Sequence, residues 1–284
     1  TQLLAVGDVR SPFFPRSAMK PLQTLGLLRA GWSPADDEQV ALACASHSGE
    51  APHIDVVRRI LADAGLDIDA LDNTASFPLN EDAARAMVRA GQEPDRLHQN
   101  CSGKHSAMLA TCTANGWPTS GYRDPAHPLQ VAIRTVVEDV TGEPVAAVAV
   151  DGCGAPLFAL SPTAVARAFG RLVTAGAGSH ERRIADAMRA HPFLVGGTGR
   201  DITALMQQVD GLLVKDGAEG VCAAATTEGV GVVVKIDDGG GRARTLVLVE
   251  ALNRLGVTTI DAGSVTNIAI LGHGEPVGAI RAAF

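Results

Sequence analysis

Aromatic side chains are scarce in this chain: seven Phe, two Trp and one Tyr among 284 residues, or 4%. The apolar fraction is nonetheless 46%, so a globular core must be built from Ala, Val, Leu and Ile. Long hydrophobic runs are also missing. None reaches the roughly 18 apolar residues of a membrane span, so no membrane partner is expected. Positive charge is in deficit, with 24 basic against 31 acidic residues and a net charge of -7. With no basic cluster either, nucleic acid is excluded as the main partner. Five cysteines are an odd number without the spacing of a disulfide framework. A reducing, cytoplasmic setting follows. There is no visible leader, internal repeat or low-complexity linker. The length suits one domain, 1-284, of two lobes.

The pattern of apolar residues predicts an α/β chain. Helices are expected at Ser17–Ala30, His53–Ala64, Asn80–Ala90, Lys104–Asn115, Pro128–Val140, Pro162–Thr174, Glu181–Ala190, Arg200–Val209 and Leu246–Leu255. Asn80 before Glu81 and Asp82 reads as an N-cap, and Pro128 and Pro162 open their helices. Strands are expected at Val145–Val150, Leu212–Lys215, Val221–Thr226 and Val230–Ile236. Asp36–Ala45 fits a helix or a buried strand, and its alanines favour helix. Asp237–Gly241 reads as a turn.

Several segments carry chemistry. Ser17 and Lys20 form a Ser-x-x-Lys pair, three apart and so on one helical face. A lysine with a lowered pKa can take a serine proton. Lys215-Asp216-Gly217 ends an apolar run, which gives the Lys-x-Gly form that accompanies Ser-x-x-Lys in penicillin-recognising enzymes. Asn100-Cys101-Ser102-Gly103-Lys104-His105 places a thiol three residues before a lysine at a helix start, where Asn100 and Ser102 can cap. Cys153 sits between glycines after a strand. Two thiolates suit zinc, but a Cys101–Cys153 disulfide or a pocket without metal are rivals. Cys44, Cys112 and Cys222 lie in small apolar runs and read as core. Ser46, His47 and Ser48 precede Glu50; either serine could relay protons, while His47 reads as a base or a structural histidine.

These segments together give the chain a resemblance. Phe14–Gln23, Ala41–Glu50, Asn100–His105, Asp124–Gln130, Asp151–Pro156, Gly197–Asp201 and Lys215–Val221, in this order, resemble the rhizobial-type L-asparaginase family. The resemblance implies a serine β-lactamase/glutaminase-like fold, a mainly antiparallel sheet with packed helices plus an all-helical lobe. It implies hydrolysis of the side-chain amide of L-asparagine by a Ser–Lys acyl-enzyme route. Catalysis falls to Ser17, Lys20, Ser46 and Lys215, and Ser46 is favoured over Ser48 because the match is firmest at Ala45-Ser46-His47. Arg16, Asp151, Arg200, His47 and Ser48 would bind substrate, with Arg200 gripping a carboxylate. Cys101, Lys104 and Cys153 would bind zinc, and a homodimer is implied. Family members usually carry a longer segment before Phe14 than the thirteen residues present, so the expectation is a shortened or incomplete N-terminal part. Two other functions compete. A β-lactamase-like or penicillin-recognising serine acyl enzyme lacks a clear Ser-Asp-Asn element here. A zinc-stabilised amino-acid-binding protein would use the lysines as anchors only.

Overall fold

The computed structural model describes residues 1–257 and 263–284. Among the described residues helices dominate, joined by three small antiparallel sheets. Residues Arg16–Met19 form a 3-10 turn that runs straight into α1 (Lys20–Arg29). Helix α1 is buried from Lys20 to Leu28, as expected of a helix apolar on most sides. Leu22, Leu25 and Leu27 are wholly buried, so truncating one to Ala should cost about 2–5 kcal/mol.

Helix α2 (Asp37–Ala43) resolves the ambiguous segment. Asp36 accepts a hydrogen bond from Gln39 N, and Asp37 and Glu38 follow in the first turn, a start signal that outweighs the apolar run. Helix α3 spans Ala51–Asp63 and α4 spans Glu81–Arg89. Asn80 caps α4 as predicted, accepting from Ala83 N. Helix α5 (Ser102–Ala114) is buried from Ser102 to Cys112 and packs on α1, α2 and α3. The expected caps fail here: Cys101 is the N-cap residue and no side chain caps it. Ser102 Oγ is instead engaged by His47.

Helix α6 (Pro128–Thr141) lies along α1, where Gly26 permits the approach: a Cβ on it would come 2.9 Å from Ile133 Cα. Next come β1 (Ala147–Val150) and β2 (Pro156–Ala159), an antiparallel pair registered Val150↔Pro156. Strand β2 went unpredicted because its Pro156 argues against a strand; edge positions tolerate it. The chain continues through α7 (Pro162–Thr174), α8 (His180–Ala190), the short α9 (Pro192–Val195) and α10 (Asp201–Gln208).

The main sheet orders β3 (Leu213–Gly217), β4 (Val221–Ala225) and β5 (Gly231–Lys235) side by side, with Lys215 opposite Ala223. Helices α7 and α11 (Arg244–Arg254) pack against β4 and β5. A short helix α12 (Gly263–Thr266) and the hairpin β6 (Ala269–Gly272) and β7 (Glu275–Ala279) close the chain. Among the described residues no helix is long and apolar enough to cross a membrane.

The 3-10 turn and β3 meet closely. A Cβ at Gly217 would lie 2.5 Å from Pro15 O and 3.2 Å from Ala18 N, so only glycine lets the strand end reach Ser17's turn. Gly103 plays the same part for α5 against α2: a Cβ there would lie 2.5 Å from Leu42 O. These contacts bring residues 16–20, 44–47, 100–104 and 215–217 together.

Candidate active site

The chain has only four lysines, and three of them are buried: Lys20, Lys104 and Lys215 are at most 1% exposed. Burying an ammonium is costly unless partners meet every donor. The partners of these three lysines therefore define two linked clusters.

In the first cluster, Ser46 Oγ sits between two lysines, 3.2 Å from Lys20 Nζ and 2.9 Å from Lys215 Nζ. Lys20 Nζ also donates to Ala45 O at 2.5 Å and Asn100 O at 3.4 Å. Lys215 Nζ donates to Asp216 O at 2.8 Å and Asp216 Oδ1 at 2.6 Å. Burial pulls Lys215 down to about 8; Asp216 resists that shift and the Lys20 charge adds to it. Burial alone would raise the Asp216 carboxyl, but Lys215, Arg200 and Arg244 together hold it well below the usual range.

Ser17 lies on the 3-10 turn and is half-buried, whereas Ser46 is 4% exposed. Among the described residues Lys20 N donates to Ser17 O, but no side-chain hydrogen bond joins Ser17 Oγ to Lys20 Nζ. The helical spacing that suggested one does not apply, because α1 begins only at Lys20 and the amine turns to Ala45 and Ser46. Arg16, one residue earlier, has φ 52°, a left-handed conformation costing roughly 1–3 kcal/mol for a residue of this size. Its guanidinium is fixed by Asp151 Oδ1 and Glu219 Oε1, both at 2.7 Å. Glu219, itself at φ 60°, was not a candidate from sequence.

The other predicted binding residues are committed to protein partners. Arg200 donates to Asp216 Oδ2 at 2.7 Å and to Ser46 O at 3.2 Å. His47 is fully buried. Gly49 N donates to its Nδ1 at 3.1 Å, so Nε2 carries the proton and donates to Ser102 Oγ at 2.9 Å. Burial, then the charges of His53 and Lys20, hold His47 neutral. With both ring nitrogens used, it has no free lone pair for base chemistry. Its ring stacks on His53, with centroids 5.2 Å apart. Ser48 Oγ donates to Gly196 O at 2.9 Å and does not cap α3, whose N-cap is Glu50.

The second cluster joins Cys101, Lys104 and Cys153. All are buried and both thiols are free of disulfide. Lys104 Nζ donates to Cys153 Sγ at 3.3 Å. A hydrogen bond from Cys101, aided by the Lys104 charge, lowers Cys153 to about 5. The same contact and burial push Cys101 up to about 12. These contacts favour the thiolate at Cys153 and the thiol at Cys101. Burial opposes the Lys104 charge, but the sulfurs more than offset it and Lys104 stays an ammonium. Among the described residues no group of three His, Cys, Asp or Glu could hold a metal, so a third protein ligand here would be Lys104 after losing a proton. Thr74 Oγ1 donates to Gly152 O, and Arg123 bridges Asp72 and Gly154 O, clamping the cysteine turn. Cys44, Cys112 and Cys222 are buried core, as read from sequence.

Sequence reasoning missed Asp216 and Arg244. A second charge directly after Lys215 at the end of an apolar run was the available signal for Asp216; Arg244 left none, being 28 residues further on. A cavity of about 620 Å³ beneath residues 1–6 is lined by β5, α7 and α11, away from both clusters.

A family profile described as L-asparaginase II matches residues 1–282. The chain belongs to that family. Membership makes it a hydrolase and implies an asparagine amidohydrolase. No curated protein matches it.

Proposed function

We propose that the chain cleaves the side-chain amide of L-asparagine to L-aspartate and ammonia through an acyl-enzyme on Ser17. The observation that carries this reading is Ser46 Oγ held between Lys20 and Lys215, beside the more accessible Ser17. Lys20 Nζ takes the Ser17 proton as Ser17 Oγ bonds to the amide carbon. The C–N bond then breaks. The leaving nitrogen takes the Ser46 proton, and Ser46 takes one from Lys215. Ammonia departs, leaving the ester on Ser17, Lys20 as ammonium and Lys215 as amine. Water reverses the roles: its proton passes through Ser46 to Lys215 as it attacks, and Lys20 returns a proton to Ser17. Every proton is accounted for and the cycle closes.

Arg16 and Asp151 face the substrate's charged groups. Arg200, His47 and Ser48, whose polar atoms are already bonded, fix the loop that carries Ser46. The antiparallel β3–β5 sheet beside the Ser-x-x-Lys turn supports a serine β-lactamase/glutaminase-like fold of two lobes. Cys101, Cys153 and Lys104 would hold zinc; two adjacent buried sulfurs, one already a thiolate, are a donor set that suits it. A zinc ion there would supply a fixed positive charge that orients substrate. A cytoplasmic homodimer completes the reading. Ammonia release from asparagine against glutamine, for the natural chain and Ser17→Ala, tests the proposal. Release from asparagine that Ser17→Ala abolishes is expected; release unchanged by Ser17→Ala would refute it.

A further inference from the structure

A Ser–Lys relay requires no carboxylate, yet Asp216 stands inside this one at 4% exposure. Its contacts are all to cations. Oδ1 accepts from Lys215 Nζ at 2.6 Å, and Oδ2 faces Arg200 at 2.7 Å and Arg244 at 3.1 Å. Arg244 is anchored in turn: Asp201 holds it at 3.0 Å, and it donates to Gly217 O at 3.2 Å. Thr245 Oγ1 donates to the same Asp201 carboxylate at 2.5 Å. Asp216 is therefore fixed from the starts of both α10 and α11 and cannot drift from Lys215.

Both lysines are fully hydrogen-bonded, but only one of them meets an anion. Lys215 donates all three of its protons, to Ser46 Oγ, Asp216 O and Asp216 Oδ1, which is the full set of an ammonium. Lys20 faces two carbonyls and the Ser46 hydroxyl. Those take all three of its N–H donors as well, so the difference between the two lysines lies in their partners. Two charges on one hydroxyl repel, so an adjacent anion decides which site holds its proton. The other groups facing Lys215 do not choose. Arg200 and Arg244 are positive and repel it, and the Cys44 and Cys222 thiols are pushed up by burial and stay neutral. Asp216 is the only anion in contact with either lysine among the described residues.

We propose that Asp216 is the positioning residue of this site: its carboxylate keeps Lys215 the ammonium, which sets the proton donor in place before substrate arrives. The assignment rests on the acyl-enzyme reading for its catalytic meaning and on geometry alone for the charge. In the acylation step the proton lost from Lys215 Nζ goes to Ser46 Oγ. The Ser46 proton goes to the leaving nitrogen, while Lys20 takes the Ser17 proton.

With only four lysines, protein labelled with ¹⁵N at lysine gives four Nζ signals, and Lys215→Arg and Lys20→Arg identify two of them. In the natural protein the Lys215 signal should be an ammonium at neutral pH and titrate near 8. Asp216→Asn should lower the Lys215 titration by about one pH unit or more, and carry the alkaline limb of kcat with it, an about tenfold loss on that limb. Asp216→Glu should restore the limb, which a merely structural role would not do. An unmoved Lys215 signal in folded Asp216→Asn would overturn the assignment. So would Lys215 found as the amine at neutral pH in the natural protein, a result that decides the matter even if Asp216→Asn does not fold. Absence of ammonia release from asparagine would sink the proposed reaction and leave the titration as the test of Asp216.

Discussion

Replacing Lys20 by Met separates catalysis from folding more sharply than any other change at this site. The side chain is 1% exposed and forms no ion pair, so Met fills its stem without stranding a charge. Of its three partners, two stay bonded. Asn100 O still accepts from His47 N at 3.2 Å, and Ser46 Oγ keeps Lys215 at 2.9 Å. Only Ala45 O is left without this donor, a loss of about 1–3 kcal/mol. For a chain of this size each kcal/mol lowers the melting temperature by roughly 2–4 °C, so a drop of a few degrees is expected and the fold survives. Catalysis loses more. Removing a general base typically costs about 10²–10⁴-fold, equivalent to about 3–5 kcal/mol of barrier at 1.36 kcal/mol per tenfold. A coupled assay of ammonia release, run beside a thermal melt, reads both quantities on one preparation. A rate within about tenfold of the natural protein's, with the melt lowered only slightly, would refute Lys20 as the base.

The remaining expectations concern pH, metal and the rejected base. Lys215 must be protonated to supply the leaving ammonia, so kcat should fall as pH rises through about 8. The stability contribution runs the other way: between about 8 and the ordinary value of 10.5 the unfolded chain holds the extra proton, so this group favours folding more as pH rises there. A rate that instead rises monotonically to pH 10 would contradict the assignment. Elemental analysis of chelator-free protein should find about one zinc per chain, removed by Cys101→Ser or Cys153→Ser and kept by Cys112→Ser; equal zinc in all four would exclude the site. His47→Gln should leave the shape of the pH profile intact while lowering the melting temperature, because His47 is bonded on both nitrogens; loss of one limb would restore it as a base.

How much of this was legible depended on distance along the chain. Ser17 and Lys20, or Cys101 and Lys104, lie three residues apart, and local periodicity exposed both pairs. The cap at Asn80 was readable because a cap and its helix are contiguous. The direction of Lys20 was not. A 3-10 turn replaced the first helical turn, and the amine found Ala45 O, 25 residues away. Asn100 and Ser102 looked like caps, but both answer to the Ser46 loop: Asn100 O accepts from Lys20 and His47 N, and Ser102 accepts from His47. The clamp of Arg200 and Arg244 on Asp216 is tertiary in the same sense, and no local pattern encodes it. Strands β2, β6 and β7 were too short and too interrupted by Pro and Gly to carry an alternating signal.

The central claim is that Ser17, and not the better-bonded Ser46, carries the acyl group. Rapid acid quench of the protein turning over asparagine, followed by peptide mass mapping, addresses it directly. The account predicts an aspartyl ester on the peptide containing Ser17 and none on the peptide containing Ser46. An ester on the peptide containing Ser46, or continued turnover by Ser17→Ala with no ester on either serine, would contradict it.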